Sequence, residues 1–165
     1  MNKQKITRLN ILAAKHRLEK AGVPWVVFAG AAASCYGSTR KITDIDILVK
    51  LEDIEKARAA LDHADTQAFD VVAFPDFFLD DEMIKRAKQK KLLGVTVPVI
   101  PVEDNIILKA RLQRGKDQGK HDIEDIETMI KNEPIDLEYL KKGIHIWKAE
   151  KKAKVLLQTM LWERQ

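Results

Sequence analysis

The chain has 165 residues, room for one compact domain with a helical extension but not for two full domains. Hydrophobic residues make up 45% and charged residues 33%, which suits a chain that buries a core and excludes an intrinsically disordered one. Lys and Arg number 29 against 25 Asp and Glu, a net charge of +4, and this mild excess fits a polyanionic partner and solvated helix faces alike.

No apolar run approaches the roughly 18–20 residues that cross a bilayer. The start, Met1 to Ile6, passes into a charged amphipathic stretch without the apolar core of a secretory signal, so a cytoplasmic protein with no membrane partner is expected. The single cysteine, Cys35, excludes an intrachain disulfide and a thiolate zinc cluster.

Residues 3–21 read as a helix, with Ile6, Leu9, Leu12 and Ala13 as its apolar positions and Gly22 and Pro24 as its stop. Trp25 to Phe28 has the composition of a buried strand. The small residues Ala29 to Gly37 suit a tight turn into a short helix, Ser38 to Thr43 a basic loop, and Asp44 to Val49 a second strand. A helix is expected over 51–64, a third strand over 67–74, and a loop and helix over 76–89. Residues 92–100 read as a hairpin or broken strand that Pro98 and Pro101 bar from a central ladder position. Everything after Val102 reads helical, with Ile123, Ile126 and Ile130 facing one way and Leu137, Leu140, Ile144 and Trp147 another. The expected fold is α/β (α+β): a small mixed β-sheet flanked by helices over residues 1–102, with a helical C-terminal portion over 103–165 packed on it.

The stretch from Phe28 to Val49 carries the chemistry. Successive side chains of a strand alternate faces, so Asp44 and Asp46 project to one side and Ile45, Ile47 and Val49 to the other. Two carboxylates about 7 Å apart on one face repel unless compensated. A divalent cation compensates them, and hard oxygen ligands are what Mg²⁺ accepts while it keeps waters and substrate phosphates; so does a salt bridge from Arg40 or Lys41, and both readings stay open. Upstream, Gly30 and Ala31 leave a strand and open a helix, where backbone N–H groups receive phosphate. Close packing of that helix on the sheet favours the same small residues.

Ala29-Gly30-Ala31-Ala32, Gly37, Arg40 and Asp44-Ile45-Asp46-Ile47 resemble, in order and spacing, the nucleotidyltransferase superfamily related to DNA polymerase β, particularly its small prokaryotic members. The glycine doublet of that family reads Ala29-Gly30 or Gly30-Ala31 here. Further on, Val99 to Ala110 and Lys120 to Ile126 resemble nucleotidyltransferase-like proteins of the abortive-infection and toxin–antitoxin type, with Lys109, Asp122 and Asp125 near the cleft.

The resemblance implies transfer of a nucleoside monophosphate from a nucleoside triphosphate (NTP) to a hydroxyl on a protein, an RNA end or a small molecule, with release of pyrophosphate. Asp44 and Asp46 would hold Mg²⁺ (or Mn²⁺), and Asp70 would accept a proton or complete a metal site. Gly30 and Ala31 would admit the triphosphate, with Lys109 and Arg40 offsetting its charge. The alternative is a catalytically inactive binding or regulatory partner of a toxin–antitoxin-like pair.

Phe69, Phe74, Phe77 and Phe78 fall where strand and loop packing would claim them, so no aromatic-lined site for a small apolar acceptor is expected. The basic runs 85–91 and 141–154 read as solvated helix faces or as flanks that steer a macromolecular acceptor to the cleft. His16, His63 and His145 lack partners at ligand spacing, His121 beside Asp122 is expected to line the cleft at most and not to act in catalysis, and Cys35 reads as packed. Trp147, Leu157, Met160, Leu161 and Trp162 suit packing on the domain itself, with a homodimer contact as the alternative.

Overall fold

A computed structural model describes residues 5–158 and 160; residues 1–4, Leu161 and Trp162 lie outside it. Five strands form one mixed sheet in the order β3-β2-β1-β5-β4. These are β1 (Trp25–Phe28), β2 (Ile45–Val49), β3 (Phe69–Val72), β4 (Lys88–Leu92) and β5 (Val95–Val99). The helices are α1 (Arg8–Lys20), α2 (Ala29–Cys35), α3 (Ile54–Ala60), α4 (Asp81–Arg86), α5 (Val102–Leu112), α6 (Asp122–Asn132), α7 (Leu137–Ile146) and α8 (Glu150–Leu157). None of the described helices is long and apolar enough to cross a membrane.

β1 and β2 run antiparallel, with Phe28 opposite Asp46 and Trp25 opposite Val49. All four residues of β1 are buried, as a strand covered on both faces requires. β3 joins β2 in parallel, and this sets Asp70 opposite Asp46.

Several local expectations give way. The α1 helix starts at Arg8 because Thr7 caps it in a reciprocal capping box with Asn10. Its buried stripe is Ile11, Ala14 and Leu18, one face of a 3.6-residue period, whereas Leu9 and Leu12 are exposed. The basic run 85–91 is split between the end of α4 and the edge strand β4, where lysines suit an unpaired edge. It is not one helix face.

β5 is an internal strand despite Pro98. Ile100 N–H donates to the Val27 carbonyl at 2.9 Å, so alternation turns the donorless nitrogen of Pro98 toward β1 as well. The ladder on that side shrinks to the single pair Val27–Val99, while the other side pairs fully with β4 through a turn at Leu93 and Gly94, both at positive φ.

One core runs from Ile6 to Leu157 and takes side chains from the sheet and from the C-terminal helices. α5 is buried from Val102 through Ala110 and touches α2, α6, α7 and α8. Gly143 permits the approach of α7, because a Cβ there would lie 2.5 Å from Ile107 Cδ1. Trp147, Ala153 and Leu157 are buried in the same core, so within the described residues the tail packs on its own domain.

Candidate active site

The Phe28–Asp46 pairing brings the end of β1 against the start of β2. Gly30 and Asp44 therefore face one polar hollow of about 150 Å³, which Ala31, Arg40, Asp46, Lys109, Asp122 and Asp125 also line. Of the residues singled out from the sequence, Asp70 alone is not on its wall. Asp70 is exposed beside Asp46 on β3, close enough to act on the Asp46 charge.

Asp46 is half-buried, and its carboxyl is pushed up to about 6. Burial is the largest cause, the negative charges of Asp44 and Asp70 add to it, and Lys120 and Arg114 pull the other way. The Asp44–Asp46–Asp70 group is thus short of positive charge, the condition a divalent cation relieves. Among the described residues no set of three His, Cys, Asp or Glu side chains is arranged to hold a metal ion. Mg²⁺ asks less of a protein: one or two carboxylates, completed by waters and substrate phosphates. Asp44 and Asp46 fit that donor set.

The turn above them is held from a distance. Ala29 sits at φ 57°, the left-handed region that an alanine enters at a cost. Asn105 clamps it from α5, accepting from Ala29 N–H at 2.7 Å and donating from Nδ2 to the Ala29 carbonyl at 3.1 Å. Sequence reasoning passed over Asn105. Its signal was a single amide directly ahead of the apolar Ile106 to Leu108, because an amide buried with them must have partners. Past the turn, Ala31, Ala32 and Ala33 pack into the core, but Gly30 is exposed and a Cβ there would meet nothing within 4 Å. The alanines answer to packing, and Gly30 leaves backbone bare toward the hollow. No side chain caps α2. At its far end Gly37, at φ 114°, lies where a Cβ would collide with Asn132.

The opposite wall is a buried ion network. Lys109, 3% exposed, reaches Asp122 Oδ1 at 3.1 Å and Asp125 Oδ2 at 2.8 Å, the latter a charge contact without hydrogen-bond geometry. Arg114 donates its backbone N–H and Nε to Asp122 Oδ2 at 2.8 and 2.9 Å. Arg40 pairs with Asp125. Burial alone would raise the Asp122 carboxyl, but the hydrogen bonds from Arg114 and the Lys109 charge outweigh it and hold it below the usual range. Lys109 therefore lines the hollow with its ammonium already engaged. The network also corrects the expected face of α6: Asp122, Asp125, Ile126 and Met129 point inward and Ile123 is exposed. A pattern of apolar residues cannot reveal a face built on carboxylates.

A second, larger cleft of about 710 Å³ shares Asp46 as a wall. Phe28, Phe74 and Phe77 line it together with Arg111, Arg114, Lys148, Lys151 and Lys152. Phe74 is 49% exposed, which corrects the expectation that packing would claim every phenylalanine of this region. Of the two basic runs only the C-terminal one reaches this cleft, whereas Lys88 and Lys90 pair with Glu133. The Cys35 thiol is pushed up to about 11, chiefly by burial, as a packed cysteine should be.

Comparison with known proteins bears on the family and the fold. The family described as "Nucleotidyl transferase of unknown function (DUF2204)" matches residues 69–160. The crystal structure of ANT(2″)-Ia in complex with adenylyl-2″-tobramycin is similar in fold, with a TM-score of 0.57 at 12% identity over 85% of this chain and 95% of that one. No curated protein matches the chain.

Proposed function

This chain belongs to the nucleotidyl transferase family of unknown function (DUF2204), and from that membership we propose that it moves a nucleoside monophosphate from an NTP to a hydroxyl acceptor. The observation that carries this reading is the Phe28–Asp46 register, which sets the bare backbone at Gly30 and the Asp44–Asp46 pair on one hollow. The acceptor oxygen attacks the α-phosphorus, the bond to the bridging oxygen breaks, and pyrophosphate leaves with that electron pair.

Asp44 and Asp46 are the residues to hold Mg²⁺ or Mn²⁺. When bound, the ion supplies charge stabilisation for the attacking and leaving oxygens. Asp70, beside Asp46 on β3, would take the proton of the acceptor hydroxyl. Gly30 and Ala31 admit the triphosphate. Arg40, Lys41 and Lys120 on the hollow's rim offset its charge, and Lys109 with Arg114 fixes the wall they stand on. Such positioning with preset charge is most of what phosphoryl transfer asks of a protein.

The test is incubation with each of the four α-labelled NTPs, Mg²⁺ or Mn²⁺, and cell extract. Label should move to an acceptor with the wild-type chain and not with the Asp44→Asn/Asp46→Asn variant. Transfer that persists in the variant, or a Tm that Mg²⁺ with NTP fails to raise in the wild type, refutes the reading.

A further inference from the structure

Building on the nucleotidyl-transfer reading, we propose that the larger cleft receives the 3′-hydroxyl end of a single-stranded polynucleotide as the acceptor. Three features of the cleft converge on that chemistry.

The first is a ring platform. Phe74 stands half exposed on the cleft wall. Its backbone is fixed by reciprocal hydrogen bonds with Phe77, at 2.9 and 3.1 Å. Phe77 in turn packs on Trp147 with centroids 5.0 Å apart. An exposed aromatic face on a rigid support is what stacks a base.

The second is unpaired positive charge. Lys148, Lys151 and Lys152 line the cleft, and among the described residues none of them makes a close ion pair, although the Lys148 charge acts on Asp76; Arg111 is engaged by Asp76 at 2.6 Å and Arg114 by Asp122. Lys148 sits at φ 52°, in a turn closed by Ala149 N–H donating to the Ile144 carbonyl at 2.8 Å. That turn sets Lys148 just ahead of α8, whose first turn carries Lys151 and Lys152, so one short stretch of chain brings all three lysines to the cleft. Asp46 and Asp76 are the acids on its wall. A cationic acceptor would meet repulsion from these lysines, and a neutral apolar one would make no use of their charge. A backbone of phosphates answers them.

The third is the position of the reacting end. Asp46 belongs to both hollows, so an acceptor lying along the lysines with its last base on Phe74 presents its terminal ribose at the carboxylates. The terminal 3′-oxygen bonds to the α-phosphorus of the NTP in the polar hollow, pyrophosphate departs with the electron pair, and the hydroxyl proton passes to Asp70. The strand ends one nucleotide longer.

The test uses the full chain and a short 5′-fluorescein single-stranded RNA, followed by anisotropy over a salt series without NTP, with a DNA strand of the same sequence in parallel. The wild type should bind. Phe74→Ala and Phe74→Leu should each weaken binding roughly 5- to 100-fold, as expected for loss of one stacking platform. Lys148→Gln/Lys151→Gln/Lys152→Gln should reduce the slope of log affinity against log salt by about 2. The proposal is overturned if neither strand binds, if Phe74→Leu and the triple variant bind as the wild type does, or if an acidic peptide binds in place of the strand. It is also overturned if the variants weaken Mg²⁺–NTP binding and leave strand binding unchanged, which would give the cleft to the nucleotide's own base. Failure of the nucleotidyl-transfer reading shows elsewhere, as a Tm that Mg²⁺ with NTP does not raise even where the strand binds.

Discussion

Asp46 and Asp70 are register partners on the parallel strands β2 and β3, so two carboxylates meet across a ladder beside a third at Asp44. Burial first, then Asp44 and Asp70, push the Asp46 carboxyl up to about 6. A folded-state value above the unfolded one means that the native chain holds this proton longer. Stability from this group is thus present at low pH and lost as pH rises from about 4 through 6. Asp46→Asn should remove that loss. Urea titrations from pH 4 to 8 should show the variant gaining on the wild type across that window, to about 1–3 kcal/mol above it, while Mg²⁺ with NTP no longer raises its Tm. A variant no more stable than the wild type at pH 8 would contradict this.

Gly30→Ala separates packing from ligand approach. The open space at Gly30 and its place in α2 predict a gain of about 0.4–1 kcal/mol from the less flexible unfolded chain and better helix propensity. The added methyl group stands where the triphosphate is to approach, so NTP affinity should fall as denaturant resistance rises. Calorimetry beside urea melts reads both.

Lys109→Met should be costly. It leaves Asp122 and Asp125, both at most 1% exposed, without their buried ammonium, a change that costs about 3–5 kcal/mol. Differential scanning calorimetry should show a large drop in Tm without any nucleotide present, because Lys109, expected from the sequence to offset triphosphate charge, is engaged in the wall by Asp122 and Asp125.

Asp104 is pushed up to about 7 by burial, with hydrogen bonds from Tyr139 and Trp147 pulling it back. Tyr139→Phe deletes one of those donors, at a cost of about 1–3 kcal/mol. The charged form loses its partner, so the deficit should grow as pH rises through 7. A deficit independent of pH would point to packing alone.

The strand–turn–strand unit from Trp25 to Val49 was legible in the sequence because its signals are local: an apolar run, small residues, then alternating aspartates. What the sequence hid depends on distant partners. The inward face of α6 is carboxylate, and only Lys109, Arg114 and Arg40 make that tolerable. β4 is rich in lysine and becomes a strand because Val95, Val97 and Val99 pair beside it. Pro98 sits inside the sheet with its nitrogen toward β1, where the ladder is cut to one pair, while the β4 side pairs in full. Phe74 reads like its buried neighbours Phe69 and Phe77, and only the path of the loop leaves it half exposed.

The clamp between Asn105 and Ala29 joins residues 76 positions apart. On the ribosome, β1 and the turn after it emerge well before α5, so for much of synthesis Ala29 has no partner to hold it at positive φ. The nascent turn is free to relax into ordinary helix or extended backbone, and it takes its working shape only when α5 docks and closes that long loop. The polar hollow is therefore completed only once α5, which follows the sheet strands in the chain, has docked on the turn.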